Sequence, residues 1–131
     1  MTAGVVVRLE RGDPPELSAL QTRPPSPHAR VFVARDRASG WPLGVVHLES
    51  GPDDFAELLG LIVLPAARRA GVARRLLAAA ESFARVQRIS TLRLRAEPGT
   101  AGAARALGFT EIDAFGAHVG DDTGVFFAKA L

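Results

Sequence analysis

The 131-residue chain contains no cysteine. This absence excludes disulfide bonds, thiolate zinc sites and cysteine nucleophiles. Long apolar runs are also lacking, because the longest, residues 58–67, covers only about half of a membrane-spanning helix. The first twenty residues carry five charged side chains, unlike a secretory leader. The sequence therefore predicts a soluble, cytoplasmic protein that does not enter the membrane.

The composition is that of a folded domain. Hydrophobic residues make up 47% of the chain and charged residues 23%, which argues against disorder. A chain of this length can bury a sizeable core without covalent links. Neither repeats nor a domain boundary are visible, so we expect residues 1–131 to form a single domain.

Positive charge is concentrated in one segment. The net charge is only +2, but residues 65–96 hold eight arginines against one glutamate, a local net charge of +7. Such an excess indicates an anionic partner. A nucleic acid is one candidate, although no aromatic residues alternate with these arginines as a base-stacking surface would require.

Hydrophobic patterning predicts ten elements in the order β, short α, β, β, β, α, β, α, β, β. The predicted strands cover residues 4–10, 30–35, 43–49, 55–64, 91–96, 111–115 and 124–131. The predicted helices cover residues 15–20, 71–88 and 101–107, the last capped by Thr100 and ended by Gly108. The main helix should bury a stripe formed by Val72, Leu76, Ala79 or Ala80, Phe83 and Val86.

Residues 57–77 carry the chemical signal and read ELLGLIVLPAARRAGVARRLL. A buried strand ends at Pro65, and a helix starts at Gly71 after a loop that contains arginines. The first amides of a helix have no internal partner and carry partial positive charge, so they bind anions. Small residues let an anion approach the backbone closely. The segment therefore predicts a phosphate site, whereas the alternative is a tight turn beside a solvated basic face.

The same segment resembles the GNAT superfamily of N-acetyltransferases. Arg68-x-x-Gly71-x-Ala73 fits the Arg/Gln-x-x-Gly-x-Gly/Ala signature of that family, and the strand before it has the family's spacing. Residues 107–109 (LGF) look like the Leu-Gly-Phe that follows the last helix of these enzymes. The order of elements is also similar from end to end, so the resemblance covers nearly the whole chain.

The resemblance implies an α/β (α+β) fold, the acyl-CoA N-acyltransferase fold. Its sheet is mixed and mostly antiparallel, with a central splayed parallel pair and flanking helices. The implied activity is transfer of an acetyl group from acetyl-CoA, the cosubstrate, to a primary amine of a small molecule or peptide, by direct attack in a ternary complex. A degenerate domain that binds acyl-CoA as a regulatory or scaffold module is the alternative.

The resemblance also assigns roles to residues. The coenzyme would be held by the strand end and the loop: Leu61, Ile62, Val63, Arg68, Arg69, Ala70, Gly71, Val72, Ala73 and Arg74. Glu57 would accept the proton of the attacking amine, unless it is only a strand-end carboxylate paired with an arginine. If they face the cleft, His47 and Glu49 on the neighbouring strand are substitutes for Glu57 as the proton acceptor. A histidine at such a position is more often a packed or hydrogen-bonded strand residue than a base. His118 is expected to be solvent-exposed.

Two features depart from the family. Ala104 stands where many members have a tyrosine that protonates the leaving thiolate, the chain has no tyrosine, and Glu97 replaces a common asparagine. Residues 11–29 leave room for one short helix where the family usually has two. The acceptor site should therefore be open or be completed by a second subunit of a homodimer. No metal site is expected, because Asp53, Asp54, His47 and Glu49 fit no ligand spacing.

Overall fold

The computed structural model describes residues 4–21, 26–51, 54–68 and 71–131, which contain seven strands and three helices. The strands are β1 (Val5–Glu10), β2 (Arg30–Asp36), β3 (Pro42–Ser50), β4 (Phe55–Val63), β5 (Thr91–Ala96), β6 (Thr110–Ile112) and β7 (Val125–Ala130). The helices are α1 (Pro15–Ser18), α2 (Val72–Val86) and α3 (Ala101–Ala106). The predicted order of ten elements is confirmed.

All seven strands form one mixed sheet in the order β1-β2-β3-β4-β5-β7-β6. Only β4 and β5 are parallel neighbours, and they pair only where residues 55–57 lie beside residues 91–93. After Glu57, β4 leaves β5 and continues to Val63 along β3. The predicted sheet, mostly antiparallel with a central splayed parallel pair, is therefore confirmed.

Strand β4 contains a bulge near its midpoint. Leu59 pairs with His47 and Ile62 pairs with Val45, so two residues of β4 face one residue of β3 between these pairs. Gly60, in the bulge, has a φ of 58°, a left-handed conformation that glycine adopts without steric cost. Because bulges bend a strand, this one turns β4 at the point where it has left β5.

Helix α2 and the main core lie on one face of the sheet. Val72, Leu76, Ala80 and Ala84 are at most 1% exposed, which shows that every fourth residue of the helix faces the strands. Leu92 of β5 and Phe127 of β7, both fully buried, belong to the same core. This packing fixes the start of α2 beside the end of β4.

The predicted stripe of α2 is wrong at its end. Val86 is 77% exposed, because the buried row continues to Ala84 and not to the final residue of the helix. Glu81, which is not part of the predicted stripe, is also buried, and its carboxylate accepts a 3.0 Å hydrogen bond from Nζ of Lys129. Pairing with the lysine compensates for removing this carboxylate from water.

The opposite face of the sheet carries two smaller clusters. Leu17 of α1 packs with valines of β2 and β3. Phe55, Phe115 and Phe126 form the second cluster, all at most 6% exposed. The second cluster lies beside the parallel part of β4 and β5, where it supports the start of the candidate site.

Two local predictions also need correction. Strand β6 ends at Ile112 rather than at residue 115, because the chain then turns to place Phe115 in the aromatic cluster. Thr100 stands before α3, but its hydroxyl donates to the Glu97 carbonyl and does not cap the helix amides. Gly108 follows the helix with a φ of 94°, as expected of a residue that ends it.

Candidate active site

The separation of β4 from β5 opens a cleft of about 980 Å³. Its lining comes from β3, β4, β5, α2, α3 and the segment that contains His118. One end lies at the start of α2, and the other contains Glu57 and its neighbours. The cleft therefore connects the predicted phosphate site with the predicted proton acceptor.

The predicted phosphate site at the start of α2 is built from backbone. Gly71 has a φ of 76°, and α2 begins at the next residue. The first turn of the helix closes with a 3.0 Å hydrogen bond from the Arg75 amide to the Gly71 carbonyl. The amides of Val72, Ala73 and Arg74 precede that turn and have no intrahelical acceptor. They carry the partial positive charge that favours a bound anion.

Two of the predicted coenzyme-binding residues, Arg69 and Ala70, lie outside the described residues. Arg68 lines the cleft, and its Nε donates to the Val63 carbonyl over 3.3 Å. Arg74 is exposed and directs a guanidinium N–H to the carbonyl of Ala106, 3.2 Å away at the end of α3. Arg74 therefore connects the two helices that flank the cleft.

The middle of the cleft is the free stretch of β4. Leu61, Ile62 and Val63 all line it, and Leu61 is 45% exposed. The bulge before them is held from the opposite face: Nε2 of Gln21, after α1, donates a 2.9 Å hydrogen bond to the Gly60 carbonyl. An extended ligand that contains amides could pair with such a strand edge.

Glu57 lies at the other end of the cleft and pairs with His118. Their side chains are 20% and 22% exposed, and Oε2 of the carboxylate is 2.7 Å from Nε2 of the imidazole. The expectation that His118 is simply solvent-exposed is wrong, because the turn before β7 directs it back to the sheet. The partner of Glu57 is a histidine and not the arginine considered from the sequence.

His47 and Glu49, the alternative proton acceptors, make other contacts. His47 is 3% exposed, and its Nε2 lies 2.7 Å from Oδ1 of Asp13, a residue that the sequence analysis did not single out. The prediction of a packed, hydrogen-bonded histidine is confirmed. Glu49 lines the cleft opposite Glu57 in the β3–β4 register and accepts a 3.0 Å hydrogen bond from the Ser26 hydroxyl.

Two residues that depart from the sequence pattern of the resembled family, Ala104 and Glu97, line the cleft. Ala104 lines the cleft and is 5% exposed. Glu97 forms a 2.6 Å ion pair with Arg95, which also contacts Asp121 at 2.7 Å. The hydrogen bond to Glu97, followed in size by the one to Asp121, raises the pKa of the Arg95 guanidinium. Glu97 therefore shares the single positive charge of Arg95 with Asp121.

Neither a metal centre nor a membrane span emerges from the described parts of the chain. No group of three potential metal ligands lies together in residues 4–21, 26–51, 54–68 and 71–131. The helices described in the same ranges are too short or too polar to cross a membrane. Asp53, one of the residues weighed as a ligand, falls outside these ranges.

Comparison with known proteins identifies the family. Residues 7–109 match the model of the acetyltransferase (GNAT) family. No curated protein matches significantly. The match to the family model covers most of the sequence and includes the segment between β4 and α2, the free stretch of β4 and Glu57. The chain belongs to the GNAT family of acetyltransferases.

Solved structures share its fold. A proposed acyl-CoA N-acyltransferase from Klebsiella pneumoniae aligns with a TM-score of 0.83 and 22% identity over 98% of this chain and 99% of that one. A GNAT acetyltransferase from Elizabethkingia anophelis with acetyl-CoA bound aligns with a TM-score of 0.78 and 14% identity over 98% of this chain and 99% of that one. The third structure is N-acetylglutamate synthase from Neisseria gonorrhoeae, complexed with coenzyme A and N-acetylglutamate. It aligns with a TM-score of 0.80 and 20% identity over 97% of this chain and 35% of its own chain.

Proposed function

We propose that the protein is an acetyl-CoA-dependent N-acetyltransferase that acts on a primary amine, in a small molecule or a peptide, by direct transfer in a ternary complex. One observation carries this proposal. Strand β4 leaves β5 immediately after Glu57, so a carboxylate, an open strand edge and the first amides of α2 lie along one cleft. These are the groups that amine acetylation by a thioester requires.

Acetyl-CoA fits the two ends of the cleft. The amides of residues 69–74, of which the structure describes 71–74, would hold the pyrophosphate. The backbone of Leu61, Ile62 and Val63 would pair with the amides of the pantetheine arm. Two relatives of the fold contain acetyl-CoA or coenzyme A, which supports this choice of cosubstrate.

The chain's own groups would assist the transfer at two points. The nitrogen of a neutral amine attacks the thioester carbonyl, a C–N bond forms, and the C–S bond breaks to release the thiolate. A backbone amide at Ile62 or Val63 would stabilise the oxyanion that develops on the carbonyl. Because alkylammonium groups have pKa values near 10, the amine must lose a proton, and Glu57 would accept it directly or through water.

The thiolate would leave without help from a side chain at position 104. Ala104 has no group to donate a proton, and the chain has no tyrosine that could substitute for it. A thiol of ordinary acidity has a pKa of about 8.5, so its thiolate is a reasonable leaving group at neutral pH. We expect the last proton to come from water.

The test is release of free thiol from acetyl-CoA across a panel of primary amines. We expect turnover with at least one amine and a loss of about 100-fold or more in kcat for Glu57→Gln, the lower range for removing a general base. Glu111→Gln is the control, since Glu111 is an exposed carboxylate paired with Arg105 and does not line the cleft. Turnover that survives Glu57→Gln would contradict the role of Glu57.

A non-catalytic acyl-CoA-binding module is the second candidate, favoured by Ala104. Tight binding of acetyl-CoA by calorimetry with no thiol release for any amine would identify it.

A nucleic-acid binder is less well supported, because several arginines of residues 65–96 have other partners. Arg93 stacks over Phe55 at 4.2 Å, and Arg95 pairs with Asp121 and Glu97.

A further inference from the structure

The contact between Glu57 and His118 joins residues 61 positions apart in the chain. His118 ends a short turn of 3-10 helix between β6 and β7. Its own amide donates to the Phe115 carbonyl over 2.9 Å, and its carbonyl accepts from the Asp121 amide over 2.8 Å. Backbone hydrogen bonds on both sides therefore fix the place from which the imidazole extends.

The imidazole ring lies in an aromatic box formed by Phe115 and Phe126. Its centroid is 5.2 Å from the Phe115 ring, in an edge-to-face arrangement, and 5.5 Å from the Phe126 ring. Both phenylalanines are buried, and Phe55 packs edge-on against Phe115 at 5.6 Å. Such contacts restrict the ring, so its hydrogen bond to Glu57 is made from a nearly fixed position.

Arg93, the residue beside Glu57 on β5, does not replace His118 as the partner of the Glu57 carboxylate. Arg93 is the register partner of Glu57 across the parallel pair. Its guanidinium lies over the Phe55 ring at 4.2 Å and within 5.6 Å of the Phe115 ring, and its buried Nε has no hydrogen-bond partner. Arg93 therefore supports the aromatic box. Among the described residues, His118 is the side chain that contacts the Glu57 carboxylate.

We propose that His118 is a positioning residue for Glu57, an inference that rests on the proposed function. An ionised carboxylate only accepts hydrogen bonds, so Nε2–H of His118 donates to Oε2. This bond fixes the rotation of the carboxylate and leaves Oε1, for which the described residues provide no donor, to receive the proton of the amine. Small errors in the placement of a reacting group lower the reaction rate by large factors. The hydrogen bond from His118 should therefore increase the rate by holding the Glu57 carboxylate in place.

Four variants test the proposal through kcat and KM: His118→Ala, His118→Gln, Glu57→Gln and the double variant Glu57→Gln/His118→Ala. His28→Ala, at an exposed histidine outside the cleft, is the matched control. We expect His118→Ala to lower kcat by about 10- to 100-fold, with the KM for acetyl-CoA unchanged because the phosphates bind at the other end. The amide nitrogen of Gln can replace Nε2 as a donor, so His118→Gln should recover most of kcat.

The double variant separates positioning from independent roles. If His118 acts only through Glu57, adding His118→Ala to Glu57→Gln should cause no further loss. A further loss in that background, or a His118→Gln variant as impaired as His118→Ala, would overturn the proposal and would instead indicate that the imidazole takes the proton itself.

Failure of this proposal is distinguishable from failure of the proposed function. A wild-type protein that turns over, together with a fully active His118→Ala variant, would overturn the positioning role alone. A wild-type protein without turnover on any amine would overturn both.

Discussion

The backbone carbonyl of Gly60 accepts a 2.9 Å hydrogen bond from the side chain of Gln21, which lies 39 positions earlier in the chain. This contact joins the end of α1 to the bulge of β4, on the face opposite α2. The bulge turns the strand that would bind the pantetheine arm. A glutamine beyond a four-residue helix thus supports the geometry of the proposed coenzyme site.

Replacement of Gly60 by alanine should destabilise the fold. A Cβ at this position would lie 2.8 Å from Oε1 of Gln21 and 2.9 Å from Nδ1 of His47, and the φ of 58° is unfavourable for any residue with a Cβ. We expect a loss of about 1–3 kcal/mol in the free energy of unfolding, measured by urea titration.

Gly102 provides the control for that experiment. It lies in α3, and a Cβ there would meet no atom within 4 Å. Since alanine favours helix over glycine, Gly102→Ala should stabilise the protein by about 0.5 kcal/mol. Equal effects of the two substitutions would show that the bulge does not depend on glycine.

Replacement of Gly71 by glutamate should weaken binding of acetyl-CoA by at least about tenfold, since it places a negative charge and a side chain beside the amides that we propose hold the phosphates. Part of any effect could come from backbone strain at the φ of 76°. Gly40→Glu controls for this, because Gly40 has a φ of 75° in the turn between β2 and β3, with nothing within 4 Å of an added Cβ.

Titration calorimetry distinguishes the two contributions. Gly40→Glu carries the same added charge and the same backbone penalty away from the cleft, so its affinity for acetyl-CoA should equal that of the wild type. An affinity unchanged in Gly71→Glu, or reduced equally in both variants, would argue against phosphate binding at the start of α2.

The ion pair between Asp121 and Arg95 should make stability depend on pH in acid. The hydroxyl of Thr123 and the guanidinium of Arg95 hold the pKa of the Asp121 carboxyl well below its usual range. The unfolded chain therefore takes up this proton first as the pH falls. The stabilisation is complete above the ordinary pKa of about 3.9 and is lost as the pH falls through the folded-state value.

Melting temperatures measured from about pH 5 to about pH 2 should therefore fall less steeply for Asp121→Asn than for the wild type. Asp122→Asn removes the same charge from the adjacent exposed residue and should keep a slope close to that of the wild type. Identical slopes for all three proteins would show that the Asp121 carboxylate does not contribute.

The parts of the fold that follow from local sequence were predictable. Pro65 ends β4, Gly71 precedes α2, and the apolar positions of residues 72–84 place that helix on the sheet. The spacing of Arg68, Gly71 and Ala73 indicates the family from the sequence alone. Each of these signals acts over a few residues, so the sequence displays it directly.

The parts that depend on long-range contacts were not predictable. Nothing near His118 in the sequence indicates that its ring meets Glu57, because that contact requires the β6–β7 turn to fold back over the aromatic cluster. The bulge at Gly60 is held by Gln21 from another element, and Asp13 meets His47 across 34 positions. Such pairs depend on the tertiary structure and not on neighbouring residues in the sequence.

A crystal structure of the complex with acetyl-CoA tests the central claim most directly. The account predicts that the pyrophosphate lies within hydrogen-bond distance of the amides at the start of α2, and that the thioester carbonyl faces the backbone amide of Ile62 or Val63. Electron density for the coenzyme elsewhere on the molecule, or none in the cleft at saturating concentration, would contradict it.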